Sequence, residues 1–164
     1  MITICLTNPK SPTNVGGVMR ASGCFGVDQV LYTGNRYNVA KKFATDTQNI
    51  TSDIGLVHVD EFLSHKTTGQ KVICVDLVEG ATALPHFQHP EEAMYVFGPE
   101  DGSLSQEMIN AADAVVYMPT RGSLNLAASV NVLLYDRVAK DEQWQIGDEL
   151  VKQSRDKNNN LKVE

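Results

Sequence analysis

Two short runs set the strongest limit on how this chain can fold. Lys71–Leu77 (KVICVDL) and Met94–Phe97 (MYVF) are almost unbroken in apolar residues. A strand with one wet face alternates polar and apolar side chains. A strand without a polar face must be covered on both sides, as in a parallel sheet enclosed by helices. Shorter runs rich in β-formers lie at Ile2–Leu6, Val30–Tyr32, Leu56–Val59 and Val115–Met118. Helix-like segments alternate with them. One opens at Asn14, which suits an N-cap, and runs to about Phe25, where Gly26 closes it. Others cover Glu61–Lys66 after Asp60, Ser105–Ala111, and Leu124–Val138. Gly34–Ile54 is polar, with weak helical character around Val39–Phe43, and Pro85–Pro90 reads as a loop. The alternation predicts an α/β domain with a mostly parallel sheet flanked by helices.

At 164 residues the chain fits one domain, taken as residues 1–150 with a polar tail over 151–164. No apolar run approaches the roughly 20 residues that span a bilayer. The start, MITICLTNPK, lacks the pattern of a secretory signal. Cys5, Cys24 and Cys74 are odd in number and without CxxC spacing, so they read as small reduced core residues of a cytoplasmic protein. His86 and His89 form an H-x-x-H pair between Pro85 and Pro90 with no clustered acid or cysteine, and no metal site is expected. The net charge of −6 lacks the basic footprint usual for nucleic-acid binding. Yet Lys10, Arg20, Arg36, Lys41 and Lys42 fall in the first 42 residues, where Asp28 is the only acid. This uneven spread leaves room for a local basic face, while the global charge counts against RNA without excluding it.

Three segments carry candidate chemistry. In Asn14-Val15-Gly16-Gly17-Val18-Met19-Arg20, the stripe Val15, Val18, Met19, Ser22 and Phe25 faces inward, while Gly16, Arg20 and Gly23 share another face. Two helical glycines on that face, each costing about 1 kcal/mol relative to alanine, leave two readings open: a close approach beside Arg20, or a solvated surface arginine next to incidental glycines. In Val96-Phe97-Gly98-Pro99-Glu100-Asp101-Gly102-Ser103-Leu104-Ser105, a buried strand enters a Gly-rich acidic turn, where ligands of α/β sheets gather. No GxGxxG or GxxxxGK[ST] phosphate motif is present. In the third, Met118-Pro119-Thr120-Arg121-Gly122-Ser123-Leu124-Asn125 leads into a helix apolar or small on nearly all sides through Leu134. Such a helix is expected to be buried all round, with Ser123 and Asn125 buried and hydrogen-bonded.

Together the elements N-x-G-x-x-x-R, F-G-x-E-x-x-x-L-S and P-x-x-x-S-L-N-x-(small)-x-S resemble, in order and approximate spacing, the three motifs of the SpoU (TrmH) family of SPOUT methyltransferases. The match runs from Asn14 to Tyr135; the Pro119–Ser123 link is shorter than in many members. The resemblance implies a deep trefoil knot around Phe97–Leu104 and Met118–Asn131. It also implies S-adenosylmethionine as cofactor, a homodimer with RNA sites at its interface, and methyl transfer to a ribose 2′-hydroxyl. By motif position it implies Asn14, Arg20, Glu100, Ser123 and Asn125 as catalytic residues. Leu77, Phe97, Gly98, Met118, Ser123 and Leu124 would lie at the cofactor. Arginine stays protonated in proteins, so Arg20 is read as a phosphate clamp that stabilises oxyanion charge. Glu100 is read as holding Asn14 or Arg20. Arg20, Arg36, Lys41 and Lys42 are the RNA-contacting cations, with tRNA favoured over rRNA. A base-nitrogen SPOUT enzyme, a noncatalytic knotted RNA-binding factor and a Rossmann-like domain are the alternatives, the last lacking a dinucleotide fingerprint after the first strand.

Overall fold

The computed structural model describes residues 1–41 and 54–163. Seven strands form one sheet: β1 (Ile2–Leu6), β2 (Gln29–Tyr32), β3 (Leu56–His58), β4 (Lys71–Val75), β5 (Thr82–Ala83), β6 (Ala93–Phe97) and β7 (Ala114–Tyr117). Their order is β3-β2-β1-β6-β4-β7-β5, and each pairing is parallel. The near-continuous runs take the centre, as their lack of a polar face requires. Every residue of β6 is buried between β1 and β4, with Tyr95 opposite Ile4 and Ile73. Side chains alternate between two cores. Ile4, Leu6, Tyr95 and Phe97 join the one that contains Val15, Val18, Leu133 and Leu134. Cys5, Met94 and Val96 join the other, with Met108 and Ile109 packed against it.

Helix α1 (Pro12–Cys24) and helix α4 (Leu126–Ala139) pack together over the first core. The contact is close: a Cβ added at Gly17 would lie 2.9 Å from Ala127 Cβ. Crowding along α1 falls on Gly17, while at Gly23, on the other face, an added Cβ would meet nothing within 4 Å. Helix α1 also starts earlier than Asn14. Ser11 is its cap, accepting from the Asn14 amide at 3.2 Å, and Pro12 follows at a position where a missing N–H costs nothing. Gly26, at φ +67°, supplies the left-handed turn that ends the helix.

Other expectations need correction. Helix α2 (Arg36–Lys41) begins before the Val39–Phe43 stretch, whose Lys42 and Phe43 lie outside the described residues. The Glu61–Lys66 segment is one 3₁₀ turn, Leu63–His65, and a second, Leu84–His86, enters the Pro85–Pro90 loop. Helix α3 (Gln106–Ala111) is capped by Ser105, and α5 (Asp148–Ser154) forms in the polar C-terminal part with no buried side chain. Helix α4 is not buried all round. Leu126, Val130, Leu133 and Leu134 face the core, whereas Val132 and Tyr135 are exposed. Cys24 is exposed, while Cys5 and Cys74 are buried; burial pushes the Cys74 thiol up to about 12 and raises Cys5 as well. Among the described residues no helix is long and apolar enough to cross a membrane.

A polar chain fastens α4 to β6. Arg137 donates to Tyr95 Oη (3.0 Å), Tyr95 Oη lies 2.7 Å from His89 Nδ1, and His89 Nε2 lies 2.8 Å from Asp136. One arrangement satisfies every member: the tyrosine donates to Nδ1, and a neutral His89 donates from Nε2 to the carboxylate. Burial lowers the His89 pKa, in line with that neutral form, although Asp136 opposes the shift. The loop histidine is thus a structural link, and it sets the far end of the helix whose N-terminus reaches the site.

Candidate functional site

Because the paired strands all run parallel, their carboxyl ends share one edge of the sheet, where ligands of open α/β sheets bind. A cavity of about 400 Å³ opens there. Asn14 from α1, Leu77 after β4, Phe97, Gly98 and Glu100 from β6 and its loop, and Met118, Ser123, Leu124 and Asn125 before α4 all line it. The structure thus gathers nine residues singled out from the sequence, drawn from distant segments, around one space. Arg20 and Arg36 are not in its wall. Lys41 ends α2, and Lys42 lies outside the described residues.

Glu100 organises the α1 side. Its Oε2 accepts from the Lys10 amide at 2.7 Å, and its Oε1 accepts from the Ser11 amide and from Asn14 Nδ2, each at 3.1 Å. A carboxylate at a helix N-terminus is favoured by amides with no intrahelical partner and by the helix dipole. The same contact fixes the Asn14 side-chain amide, so two predicted site residues are joined directly. On the opposite wall Asn125 caps α4, accepting from the Ala128 amide at 2.7 Å. Ser123 and Asn125 are exposed rather than buried, because the 119–125 loop lies at the rim of the cavity. Arg20 is also exposed, and no hydrogen bond or ion pair engages it among the described residues.

Sequence reasoning missed eight residues of this wall, among them Asp76, Asp101 and Ser129. Asp76 Oδ1 accepts from the Leu77 amide and its Oδ2 from the Leu104 amide, both at 2.8 Å. It therefore ties the loop after β4 to the loop after β6. Gly98 is pressed against this tie, since a Cβ there would sit 3.3 Å from both Asp76 Oδ2 and the Leu104 amide. An acid directly after the apolar run KVICV was the available signal for Asp76. Ser129 stood in the third motif without being singled out as a site residue.

Asp101 gathers two of the cations expected to form the basic face. Arg36 Nη1 donates to both of its oxygens at 2.8 and 2.9 Å, and Lys10 Nζ lies 3.3 Å from Oδ2. Arg36 also donates from Nε and Nη2 to the Asn8 carbonyl. Lys10 and Arg36 are thus paired within the chain, and the free charge of that face rests on Arg20 among the side chains described. Hydrogen bonds from Arg36 and then Lys10 hold the Asp101 carboxyl below its ordinary value. A lowered carboxyl pKa contributes stability above the unfolded value, and that contribution is lost as pH falls through the folded value. The latch is therefore expected to hold at neutral pH and to open only in acid below the ordinary carboxylate range. Arg36→Ala and Asp101→Asn should weaken ligand binding in the cavity by the same small factor at pH 7. The double variant should be no worse than either, as a calorimetric double-mutant cycle would read.

The SpoU rRNA Methylase family model matches residues 1–135 of the chain. A curated relative, the tRNA (cytidine/uridine/adenosine-2′-O-)-methyltransferase TrmJ of Pseudomonas aeruginosa (strain UCBPP-PA14), is 28% identical over 152 residues. That alignment covers 82% of this chain and 59% of the relative, so the chain spans about three-fifths of the relative's length. Among solved structures, one described as giving structural insights into the 2-OH methylation of C/U34 on tRNA superposes with a TM-score of 0.72 at 24% identity. The likeness covers 85% of this chain and 90% of that one. The SpoU methyltransferase AviRb from Streptomyces viridochromogenes, solved with its cofactor AdoMet, superposes at 0.67 with 18% identity, over 85% of this chain and 60% of that one. At these identities the structural likeness establishes the fold.

Proposed function

From the premise that the chain belongs to the SpoU rRNA Methylase family, we propose that it transfers the methyl group of S-adenosylmethionine to a ribose 2′-hydroxyl of RNA, with tRNA as the substrate. One observation carries the reading. Motif residues from three separated stretches of sequence meet around a single cavity at the carboxyl edge of the sheet. Its volume of about 400 Å³ falls in the range of small-molecule sites, and its wall mixes apolar side chains with a few fixed polar groups. Leu77, Phe97, Met118 and Leu124 offer apolar surface to a purine, and Gly98, whose missing Cβ leaves room for the Asp76–Leu104 contact, lines the same wall. The residues present fit the cofactor. When bound, it supplies a sulfonium methyl that is already electrophilic.

The chain's own work is then orientation and charge. Asn14, held by Glu100, positions the ribose at the mouth of the cavity. Glu100 serves as the holder, accepting from the Lys10 and Ser11 amides and from the Asn14 side chain. Among the described residues no histidine or lysine lines the cavity. Arg20 clamps an RNA phosphate and stabilises negative charge on the attacking oxygen, while the proton leaves to that phosphate or to water. Ser123 and Asn125 order the rim, and Lys41, the last residue of α2, and Lys42, next in the sequence, are further phosphate contacts. The tRNA assignment draws support from the printed activity of the TrmJ relative.

The proposal includes a homodimer and a deep trefoil knot. Support for the dimer is the exposed apolar pair Val132 and Tyr135 on α4, one turn apart. Support for the knot is that the two segments implied in it wall the same cavity. Light scattering that gives the mass of one chain would remove the dimer. The function is tested by supplying labelled S-adenosylmethionine with tRNA and, separately, rRNA, followed by alkaline hydrolysis. A methylated ribose blocks backbone cleavage and leaves labelled dinucleotides, whereas a methylated base is released as a mononucleotide. Label in mononucleotides, or in neither RNA, would reject the reading.

A further inference from the structure

The wall of the cavity holds three carboxylates and, among the described residues, no cation. Arg121, between the lining residues Thr120 and Ser123, is exposed and outside the wall. Asp101 is matched by Lys10 and Arg36, and Glu100 by the amides at the start of α1 and the Asn14 side chain. Asp76 is different. It is half-buried, meets no cation among the described residues, and has only the Leu77 and Leu104 amides as partners. Amide dipoles fix the position of a carboxylate without cancelling its charge. A charge bound anywhere in so small a cavity lies within about one Debye length, roughly 8 Å at physiological ionic strength. The low-dielectric wall on one side focuses the field into the open space.

We infer that Asp76 makes the cavity selective for a positively charged ligand, so that it holds the sulfonium cofactor in preference to the neutral thioether left after transfer. The inference rests on the methyl-transfer reading. In that reaction the sulfur–methyl bond breaks, its electron pair stays on sulfur, an oxygen–methyl bond forms and the hydroxyl proton departs. The charge on the bound ligand falls by one in the same step. Asp76 therefore attracts the cofactor before transfer and loses that attraction afterwards, which favours exchange of product for fresh cofactor. Asp76 is a specificity-determining residue that takes no part in the proton transfer.

The experiment is titration calorimetry of the full chain with S-adenosylmethionine and with S-adenosylhomocysteine. Asp76→Asn should weaken the first by roughly tenfold, the scale of one charge acting across several ångströms at intermediate dielectric, and the second by less than about threefold. Asp76→Glu keeps the charge but breaks the two-amide geometry. It should retain the preference for the sulfonium even where both ligands bind more weakly, and added salt should shrink that preference. Equal weakening of both ligands in Asp76→Asn, complete loss included, would overturn the inference and leave Asp76 as a tie between loops. Asp76→Glu matching Asp76→Asn would overturn it too. A wild-type chain that binds neither ligand is a separate failure, that of the cofactor reading itself.

Discussion

Arg20→Ala is expected to reduce methyl transfer to RNA by about 10²–10³-fold, the scale of removing one preorganised group that stabilises developing negative charge. The dissociation constant for S-adenosylmethionine should change by less than about twofold, because Arg20 is absent from the cavity wall. Thermal stability should also hold, since the side chain is exposed and engages no partner among the described residues. Arg20→Lys separates charge from geometry. A lysine restores a point charge but not the planar fork that grips two phosphate oxygens, so most of the activity should remain lost. Single-turnover transfer beside cofactor titration makes the comparison. Parallel loss of transfer and cofactor affinity would sink the division of labour between Arg20 and the cavity.

How much of this was legible in the chain follows from how local each signal is. The both-face strands are written in consecutive residues, and the expected runs at 71–77 and 94–97 became β4 and β6 at the centre of the sheet. Helix starts are also local but compete. Asn14 and Ser11 are both acceptable caps, and Pro12 favours Ser11 because its fixed φ suits the first helical position, where its missing N–H costs nothing. Composition cannot say which faces of an apolar helix find partners. Helix α4 buries Leu133 and Leu134 yet leaves Tyr135 exposed, a difference set by where α1 and the sheet lie.

The site divides in the same way. Asn14, Glu100, Ser123 and Asn125 were visible through the motif resemblance, and all four reach the cavity. Asp76 and Asp101 were not, because their partners are remote in sequence. Asp76 meets the amide 28 residues on, and Asp101 meets a guanidinium 65 residues back. Both contacts exist only because β2, β1, β6 and β4 lie side by side in that order and release their loops at one edge. The pairing within the basic segment was hidden for the same reason: of its five cations, Lys10 and Arg36 meet an acid that comes from the loop after β6.

That loop carries the second large effect. Glu100→Ala removes three hydrogen bonds at once and leaves the Lys10 and Ser11 amides without their carboxylate. Bonds to a charged acceptor are each worth about 1.5–3 kcal/mol when sheltered, and partial exposure brings the sum for Glu100 to about 2–3 kcal/mol. For a chain of this length that is a fall of roughly 4–12 °C in thermal midpoint. Asn14 would lose the contact that orients it, and kcat/KM for methyl transfer should fall about 10²-fold, the scale of a misplaced orienting group. Glu100→Gln keeps one acceptor oxygen but turns an NH₂ group toward donors, so it should recover part of the stability and little of the activity. Thermal melts and steady-state kinetics on the two variants separate holder from base. A Glu100→Ala protein with unchanged melting but no activity would make the carboxylate the proton acceptor. A fully active Glu100→Gln would show that its charge has no part in either role.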